Sequence, residues 1–278
     1  MHYYDEWKDT DAPEVLTYFL DAVMTEFIEK AKHIKHMEKA VRFAERHRAL
    51  GVGVLGWHSY LQANMIPFDS FDSLLKTTEI FKLLQEKTLK ASKQMAKEYG
   101  EPEILKGYGR RNTTLMAIAP TKSSSFILGS VSPSIEPLKS NYYIKDLAKI
   151  KTIYKNPYLE KLLKEKGMNT DEIWDSISKH DGSVQHLEGL TKHEKEVFKT
   201  FSEISQKAVI DLAAERQKYI DQGQSLNLMI HPSMEPKDIN KLYLYAADVG
   251  IKSIYYQYSM NAAQKFSREQ ITCSNCEA

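Results

Sequence analysis

Three stretches of the sequence carry residues that could take part in chemistry. In the first, APTKSSSFILGS at residues 119–130, Thr121, Lys122 and three serines follow an apolar run that ends at Pro120. A strand, a hydroxyl-rich loop and a helix start in that order present free backbone N–H groups and a helix dipole, which favour a phosphate. The stretch lacks the GxxxxGK[ST] pattern of Walker loops. By itself it favours an ordinary capped loop, because hydroxyl residues begin helices with or without a ligand.

The second stretch is CSNC, which holds Cys273 and Cys276, the only two cysteines of the chain. Zinc needs four ligands, and the nearest histidine before this pair is the distant His231. A redox dithiol is therefore favoured over a metal site, with accidental surface cysteines as the other alternative. A disulfide between such close residues closes a small loop and adds little stability. Its expected use is thiol–disulfide exchange.

The third is the adjacent pair Tyr255 and Tyr256, at the end of the β-like run IKSIYY. Neighbouring residues of a regular strand point to opposite faces, so both tyrosines serve one site only if the strand ends or distorts there. Active sites of parallel α/β proteins lie at the carboxyl ends of strands. The pattern alone favours two aromatic packing residues.

The elements that must position these residues are helices separated by a few short strands. Helices are predicted over 10–34, 36–48, 57–64, 70–100 and 235–250, with a mostly helical region over 141–223. Buried strands are predicted over 49–56, 112–120, 225–230 and 251–256. In the first helix, helical spacing predicts a buried face made of Val15, Phe19, Ala22, Val23 and Phe27. Strands separated by helices imply an α/β fold with parallel pairing and right-handed crossovers.

Composition excludes several classes of protein. The chain has 278 residues, 42% of them hydrophobic and 27% charged, which suits a sizeable core beneath a charged surface. A net charge of +1 gives no bulk attraction to nucleic acid or to an anionic membrane. No apolar run is long enough to span a bilayer, and the polar, acidic start MHYYDEWKDTDAP is unlike a secretion signal. With so few cysteines, a reducing compartment is expected.

The phosphate loop, the tyrosine pair and the terminal CxxC, in that order, resemble the C-terminal part of the class I ribonucleotide reductase large (α) subunit. HRALGVGVLGWHSYL, RNTTLMAIAPTKSSSFILGSVSPSIEP, NPYLEKLLKEKGM, EISQKAVIDLAAERQKYIDQGQSLNLMI and GIKSIYYQYS look like family blocks in family order. The resemblance covers residues from about 38 to the end of the chain. It is highly specific.

The resemblance implies the later strands and helices of a ten-stranded α/β barrel, incomplete without an N-terminal half. Residues 1–263 would be the C-terminal half of that barrel domain, and residues 264–278 a mobile redox tail. The loop matches the family segment that holds the substrate diphosphate, at Pro120, Thr121, Lys122, Ser123 and Ser124. Tyr255 and Tyr256 match the stacked pair that passes radical character inward from the small (β) subunit. Cys273 and Cys276 match the tail dithiol that re-reduces the active-site disulfide.

The sequence also departs from the family pattern. The thiyl-forming cysteine of the family lies on a finger loop within N-x-C-x-E, and no cysteine precedes Cys273 in this sequence. Both active-site redox cysteines, the N-terminal nucleotide-binding cone and the regions that read specificity effectors are missing as well. We therefore expect either a naturally split large subunit that starts at Met1, as occurs in some phage genomes, or a truncated product. The polar N-terminus and the well-formed first helix favour the natural split.

These observations lead to one expected function and one alternative. The chain is expected to be the C-terminal component of ribonucleoside-diphosphate reductase, working with an N-terminal polypeptide and a radical-generating, metal-containing small subunit. It would bind no metal or cofactor itself, take nucleoside diphosphates as substrate, and receive electrons from thioredoxin or glutaredoxin in the cytoplasm, or the host cytoplasm if phage-encoded. The alternative is a non-catalytic fragment that binds the small subunit or the N-terminal half. An independent CxxC oxidoreductase is disfavoured, because no thioredoxin-like βαβ unit surrounds Cys273.

Overall fold

The computed structural model describes residues 3–147 and 150–259. Its first half contains α1 (Tyr4–Trp7), α2 (Ala12–Ala31), α3 (Glu38–His47), α4 (Trp57–Ala63), α5 (Phe71–Tyr99), a 3₁₀ turn (Glu103–Leu105) and α6 (Lys122–Ile127). A hairpin of β1 (Tyr142–Leu147) and β2 (Ile150–Lys155) follows. The rest contains α7 (Pro157–Glu165), α8 (Asp171–Lys179), α9 (Lys192–Val197), α10 (Gln206–Gln217), β3 (Leu228–Ile230), α11 (Pro236–Asp248) and β4 (Gln257–Ser259).

Four extended segments lie side by side, parallel and in chain order. The segment 50–54 pairs with the segment 114–118 through the parallel bridge of Val52 with Met116. The segment 114–118 pairs with the third segment, residues 224–230, through the parallel bridge of Ile118 with Gln224. β3 lies at the end of this third segment and pairs with the fourth segment, β4. Helices connect successive segments, as parallel pairing requires. The predicted α/β fold with parallel strands is therefore confirmed.

Close approach of the first two segments explains a glycine in the run ALGVGVLG. A Cβ added to Gly53 would lie 2.4 Å from the carbonyl oxygen of Ala117 on the neighbouring segment. A side chain at this position would therefore push the two segments apart. Glycine removes that clash and lets the ladder form, with the Ala117 N–H donating to the Val52 carbonyl at 3.0 Å.

The ends of the long helix α5 are encoded locally. The Ser70 hydroxyl accepts a hydrogen bond from the Ser73 N–H and so caps its start. Gly100 ends it with a φ of 82°, which favours glycine. The prediction of a helix over 70–100 closed by Gly100 is confirmed.

Two predictions of secondary structure are wrong. The mostly helical region 141–223 contains the antiparallel hairpin of β1 and β2, whose two strands pair with each other rather than with the parallel segments. The strand predicted over 251–256 is placed too early, because β4 begins at Gln257, after the tyrosine pair. Both errors concern short apolar runs, in which periodicity does not separate strand from helix or loop.

The predicted buried face of α2 is also wrong. The side chains of Val15, Phe19, Val23 and Phe27 are 57%, 61%, 46% and 38% exposed, and Ala22 is exposed too. The residues of α2 that are buried are instead Pro13, Thr17, Asp21 and Ala31. Within the described chain, α2 turns a partly polar face inward and an apolar stripe outward. We call Val15, Phe19, Val23 and Phe27 the α2 stripe.

Polar contacts explain the inward face of α2. The Asp21 carboxylate accepts hydrogen bonds from Arg48 Nε at 2.8 Å, Arg111 Nε at 2.8 Å and Asn112 Nδ2 at 2.9 Å. Asn112 also accepts from Ser92 Oγ on α5 at 2.7 Å. A buried carboxylate with this many donors is fully compensated, so α2 is fixed against α5 and the segment 114–118.

The apolar core lies between the parallel segments and the helices that cross over them. Its fully buried side chains include Trp57, Leu61, Phe81, Met116, Ile210 and Leu228. A smaller separate core joins α7, α8 and α9 through residues such as Leu159, Trp174 and Val197. The first core positions the candidate site, because the hydroxyl-rich loop at residues 121–125 and the tyrosine pair both extend from its parallel segments. Across the described ranges, no helix is both long and apolar enough to cross a membrane.

Candidate functional site

The hydroxyl-rich loop begins a short helix directly after the second parallel segment. Thr121 adopts a left-handed conformation with a φ of 43° and precedes α6. The Ser125 N–H donates to the Thr121 carbonyl at 3.0 Å, which closes the first turn. The amides of Lys122, Ser123 and Ser124 precede that bond, so the helix supplies no acceptor for them. The structure therefore has the predicted order of extended segment, loop and helix start, and phosphate binding by the loop stays a prediction.

The hydroxyls of the loop divide into two groups. The Thr121 hydroxyl accepts from the Ser134 N–H at 2.8 Å, and the buried Ser125 hydroxyl donates to the Lys122 carbonyl at 2.8 Å. These two hold the loop in place. The side chains of Ser123 and Ser124 are exposed and stay available to an incoming group.

The two tyrosines serve one surface because the backbone departs from a regular strand at this point. Their ring centroids lie 4.2 Å apart, and the two residues are 52% and 53% exposed. The Tyr256 N–H donates to the side-chain oxygen of Asn227 at 2.8 Å, so a side chain replaces a backbone acceptor within the ladder. A hydrogen bond with Tyr256 is the main cause that raises the pKa of the Tyr255 phenol. The pair is in contact, as one shared site requires.

Tyr255 and Tyr256 precede β4 in the sequence. In space they lie beside the carboxyl end of the second segment, residues 114–118. The Tyr255 N–H donates to the Leu226 carbonyl at 2.8 Å, and the Leu228 N–H donates to the Tyr256 carbonyl at 3.0 Å. Ile118 pairs two residues earlier on that third segment, with Gln224. The stagger of the segments therefore brings the tyrosines beside the loop that follows residue 118.

A third tyrosine joins the loop to the pair. The Lys122 ammonium donates to the Tyr258 phenol oxygen and lies 4.7 Å from the centroid of its ring. The Lys139 ammonium lies 3.3 Å from the same centroid. The rings of Tyr256 and Tyr258 are stacked, with centroids 6.4 Å apart. The structure therefore brings together the loop and the tyrosine pair, which the sequence separates by more than a hundred residues.

A buried carboxylic acid completes this cluster. Asn227 Nδ2 donates to Glu136 Oε1 and, at 3.3 Å, to the Tyr258 phenol oxygen. Glu136 is 3% exposed and Asn227 1% exposed. Burial raises the pKa of the Glu136 carboxyl, although Asn227 and the two lysines oppose the shift.

The two lysines respond differently to their surroundings. Burial lowers the pKa of Lys139, and the neighbouring Lys122 adds to the effect. For Lys122, burial acts in the same direction and is the largest single cause. The hydrogen bond to Tyr258 and the charge interactions with Tyr258, Glu136 and Tyr256 together outweigh it, so the pKa of Lys122 is raised.

Sequence reasoning missed the outer members of this cluster. The available signal for Tyr258 was its position two residues after Tyr256, which on an extended chain places both on one face. Nothing in the local pattern singles out Glu136, Lys139 or Asn227, because their contacts cross between distant segments. Cys273 and Cys276 lie outside the described residues. Within the described ranges, no group of three or more His, Cys, Asp and Glu side chains is arranged to hold a metal ion.

Comparison with known proteins shows which family shares this sequence. The family model of the ribonucleotide reductase barrel domain matches residues 3–107 and 101–257. The chain is 41% identical over 270 residues to the ribonucleoside-diphosphate reductase large subunit of Invertebrate iridescent virus 6, which covers 95% of this chain and 28% of that protein. It is 39% identical over 254 residues to a putative large subunit of Frog virus 3 (isolate Goorha), covering 91% of this chain and 45% of that protein.

A solved structure agrees with the sequence matches. The class Id ribonucleotide reductase alpha subunit of Actinobacillus ureae is 71% identical and superimposes with a TM-score of 0.89, covering 94% of this chain and 48% of that one. The chain thus spans between about a quarter and a half of the length of these proteins. Its parallel segments and helical crossovers are part of the family barrel. The chain belongs to the ribonucleotide reductase family, as a C-terminal part of the barrel of a class I large subunit.

Proposed function

We propose that the chain is the C-terminal component of a ribonucleoside-diphosphate reductase large subunit. It acts together with an N-terminal half and a radical-generating small subunit to convert ribonucleotides to deoxyribonucleotides. The observation that carries the proposal is the half-exposed tyrosine pair, with ring centroids 4.2 Å apart, beside a loop of exposed serines and free amides. A packing role does not account for two phenols left half in solvent beside such a loop.

The tyrosine pair would relay the radical. A phenol can give up an electron and a proton together, which neither phenylalanine nor leucine can do. A radical that arrives from the small subunit would take both from Tyr255 or Tyr256, and the neighbouring phenol would then supply the same to the first. The contact between the two rings, with centroids 4.2 Å apart, makes the step between them short.

The loop would hold the substrate diphosphate. The exposed hydroxyls of Ser123 and Ser124, together with the amides at residues 122–124, provide the donors that phosphate oxygens require. Pro120 and Thr121 would fix the loop, and Lys122 would contribute its backbone amide. Because hydrogen bonds to a charged group are stronger than those to a neutral one, this loop can bind a diphosphate without a metal ion of its own.

The thiol that reacts with the ribose would come from outside these 278 residues, because no cysteine precedes Cys273. The α2 stripe and an adjoining apolar cavity of about 550 Å³ favour docking of the missing half at this edge. Leu16 of α2, Val54 of the first parallel segment and Leu128 are among the residues that line the cavity. Cys273 and Cys276 would return electrons from thioredoxin or glutaredoxin to the active-site disulfide.

Reconstitution tests this proposal. The isolated chain is expected to reduce no nucleoside diphosphate, because it lacks the thiyl-forming cysteine. Mixing it with an N-terminal half that carries the N-x-C-x-E motif and with a small subunit is expected to restore turnover. The same mixture with Tyr256→Phe serves as the negative control. Activity of the chain alone, or a stable complex that never turns over, would refute the proposal, and the second result would support the non-catalytic alternative.

A further inference from the structure

Tyr258 poses a problem for any radical that reaches the tyrosine pair. Its ring lies 6.4 Å from that of Tyr256 and is nearly parallel to it, at an interplanar angle of 28°. A phenol this close is a competing site for the electron hole. If the radical moved there, it would leave the path toward the substrate.

The surroundings of Tyr258 make its oxidation unfavourable. Two ammonium groups lie near its ring, Lys139 Nζ at 3.3 Å and Lys122 Nζ at 4.7 Å from the centroid. Loss of an electron from a ring with two cations this close is opposed by their charge. Both hydrogen bonds at the phenol oxygen, from Lys122 and from Asn227, are received rather than donated. Neither partner is a base that would take the phenolic proton.

The same contacts allow Tyr258 to hold the pair in place. Its oxygen accepts from Asn227 Nδ2, and the side-chain oxygen of Asn227 accepts from the Tyr256 N–H at 2.8 Å. Glu136 accepts from the same Asn227 nitrogen and fixes its orientation. The chain of contacts from Tyr258 through Asn227 to Tyr256 therefore sets the backbone position of a proposed radical station.

We propose that Lys122 and Lys139 insulate Tyr258 from oxidation, so that Tyr258 is a positioning residue of the tyrosine site and not a radical station. The Lys122 side chain then serves the tyrosines, while its backbone amide belongs to the phosphate loop. This inference rests on the proposed function. The step that the lysines oppose is the transfer of one electron and one proton from the Tyr258 phenol to a Tyr256 radical, which would leave a Tyr258 radical and an intact Tyr256.

Combining lysine and tyrosine variants in the reconstituted enzyme tests the inference. Lys139→Met and Lys122→Met are each expected to lower kcat about tenfold, which corresponds to about 1.4 kcal/mol for a lost cation–ring contact. The KM for the diphosphate is expected to change little. Tyr258→Phe alone is expected to lower kcat about threefold, because the hydrogen bond from Asn227 that positions Tyr256 is lost. In the Tyr258→Phe background, neither lysine substitution is expected to lower kcat further, because the trap is gone.

A matched control removes a cation–ring contact elsewhere. Lys155 Nζ lies 5.2 Å from the ring centroid of Trp174, in the smaller core. Lys155→Met makes the same change in charge and length and is expected to leave kcat and KM close to wild type. Three results would overturn the inference: an additive loss in the double variants, a higher KM in Lys122→Met whatever residue occupies position 258, or Tyr258→Phe as inactive as Tyr256→Phe.

Radical location gives a readout that does not depend on turnover. The full chain is oxidised with a light-activated ruthenium complex, and the tyrosyl radical is assigned by electron paramagnetic resonance from the signal that disappears in Tyr258→Phe. In the wild-type chain, the radical is expected away from Tyr258. In Lys122→Met and Lys139→Met, its share on Tyr258 is expected to rise about tenfold. A wild-type radical already centred on Tyr258, or one unmoved by the lysine variants, would refute the insulation even if reconstitution fails.

Discussion

At the scale of single residues, the site divides into groups that would react and groups that hold them. Tyr255 and Tyr256 are half-exposed and in contact with each other, whereas Asn227 and Glu136 are buried and make only fixed contacts. Substitution of the first group should change chemistry at nearly constant stability. Substitution of the second group should disturb the geometry of the first.

The tyrosines and the tail cysteines should fail in different ways. Tyr255→Phe and Tyr256→Phe keep the ring but remove the proton that leaves with the electron, so turnover should stop with any reductant. Cys273→Ser and Cys276→Ser should stop turnover driven by thioredoxin and keep much of that driven by dithiothreitol, which reaches the active-site disulfide directly. Steady-state assays of each variant with both reductants measure this. Rescue of a tyrosine variant by dithiothreitol would contradict the roles proposed for the pair.

The exposed serines of the loop should govern the diphosphate KM. Ser123→Ala and Ser124→Ala each remove a donor to a charged group, worth about 1.5–3 kcal/mol, or about 10–150-fold in KM. Ser125→Ala provides the comparison, because that hydroxyl is buried and bonded to the Lys122 carbonyl, so its loss should appear as lower stability instead. Unchanged KM values in both Ser123→Ala and Ser124→Ala would indicate that the loop only caps a helix and does not bind the diphosphate.

At the scale of elements, buried polar contacts rather than apolar packing decide how α2 sits on the fold. Asp21 of α2 contacts Arg48 at the end of α3, and Arg111 and Asn112 at the start of the second parallel segment. Burial alone would raise the pKa of the Asp21 carboxyl, but the hydrogen bonds and charges of Arg48 and Arg111 hold it below its usual value. The ionised Asp21 carboxylate therefore stabilises the folded chain.

The Asp21 cluster predicts a specific acid sensitivity. Because folding lowers the pKa of the Asp21 carboxyl, the stability that this carboxylate contributes is fully present above the ordinary carboxyl pKa. That stability is lost as the pH falls through the pKa of the folded state. Asp21→Asn should cost about 3–5 kcal/mol at neutral pH, since it leaves buried arginines without a counter-charge, and should flatten the dependence on pH. Urea unfolding at several pH values measures both. Glu26→Gln, an exposed position on the same helix, should change little, and an equal loss there would contradict the assignment.

At the scale of the whole molecule, the outward α2 stripe indicates an incomplete surface. Side chains as large as Phe19 and Phe27 rarely line one exposed helix face unless another surface covers them. Leu16, one helical turn before Phe19, lines the apolar cavity beside the first parallel segment, at the open edge of the described sheet. An N-terminal half that completes the barrel would cover both, with a buried area of about 2,000 Å² or more for an obligate interface.

Disruption of the stripe should weaken assembly and not folding. Phe19→Glu, exposed in the isolated chain, is expected to lower affinity for the N-terminal half at least about tenfold, because a carboxylate would be buried against apolar surface. Tyr108→Glu, at a position that is 73% exposed and does not belong to the stripe, is expected to bind normally. Light scattering and titration of the two halves give the result. A stable monomer that binds no hydrophobic dye would argue against an uncovered face.

The sequence by itself determined what local spacing encodes. Helical periodicity and capping residues gave the long helix α5, alternating helices and strands predicted parallel pairing, and the loop and tyrosine motifs identified where chemistry could occur. These features depend on a residue and its near neighbours, so they can be read from one chain.

Only the tertiary structure decided which faces and motifs meet. Helical spacing identified the stripe of α2, but the ion cluster around Asp21 turned it outward. The Lys122–Tyr258 contact spans 136 residues and the Glu136–Asn227 contact spans 91, so each depends on the stagger between parallel segments. Burial of a charged or polar group likewise depends on every element packed around it. Local sequence determines the chemistry that each residue can perform, whereas the packing of distant segments determines which of these residues act together.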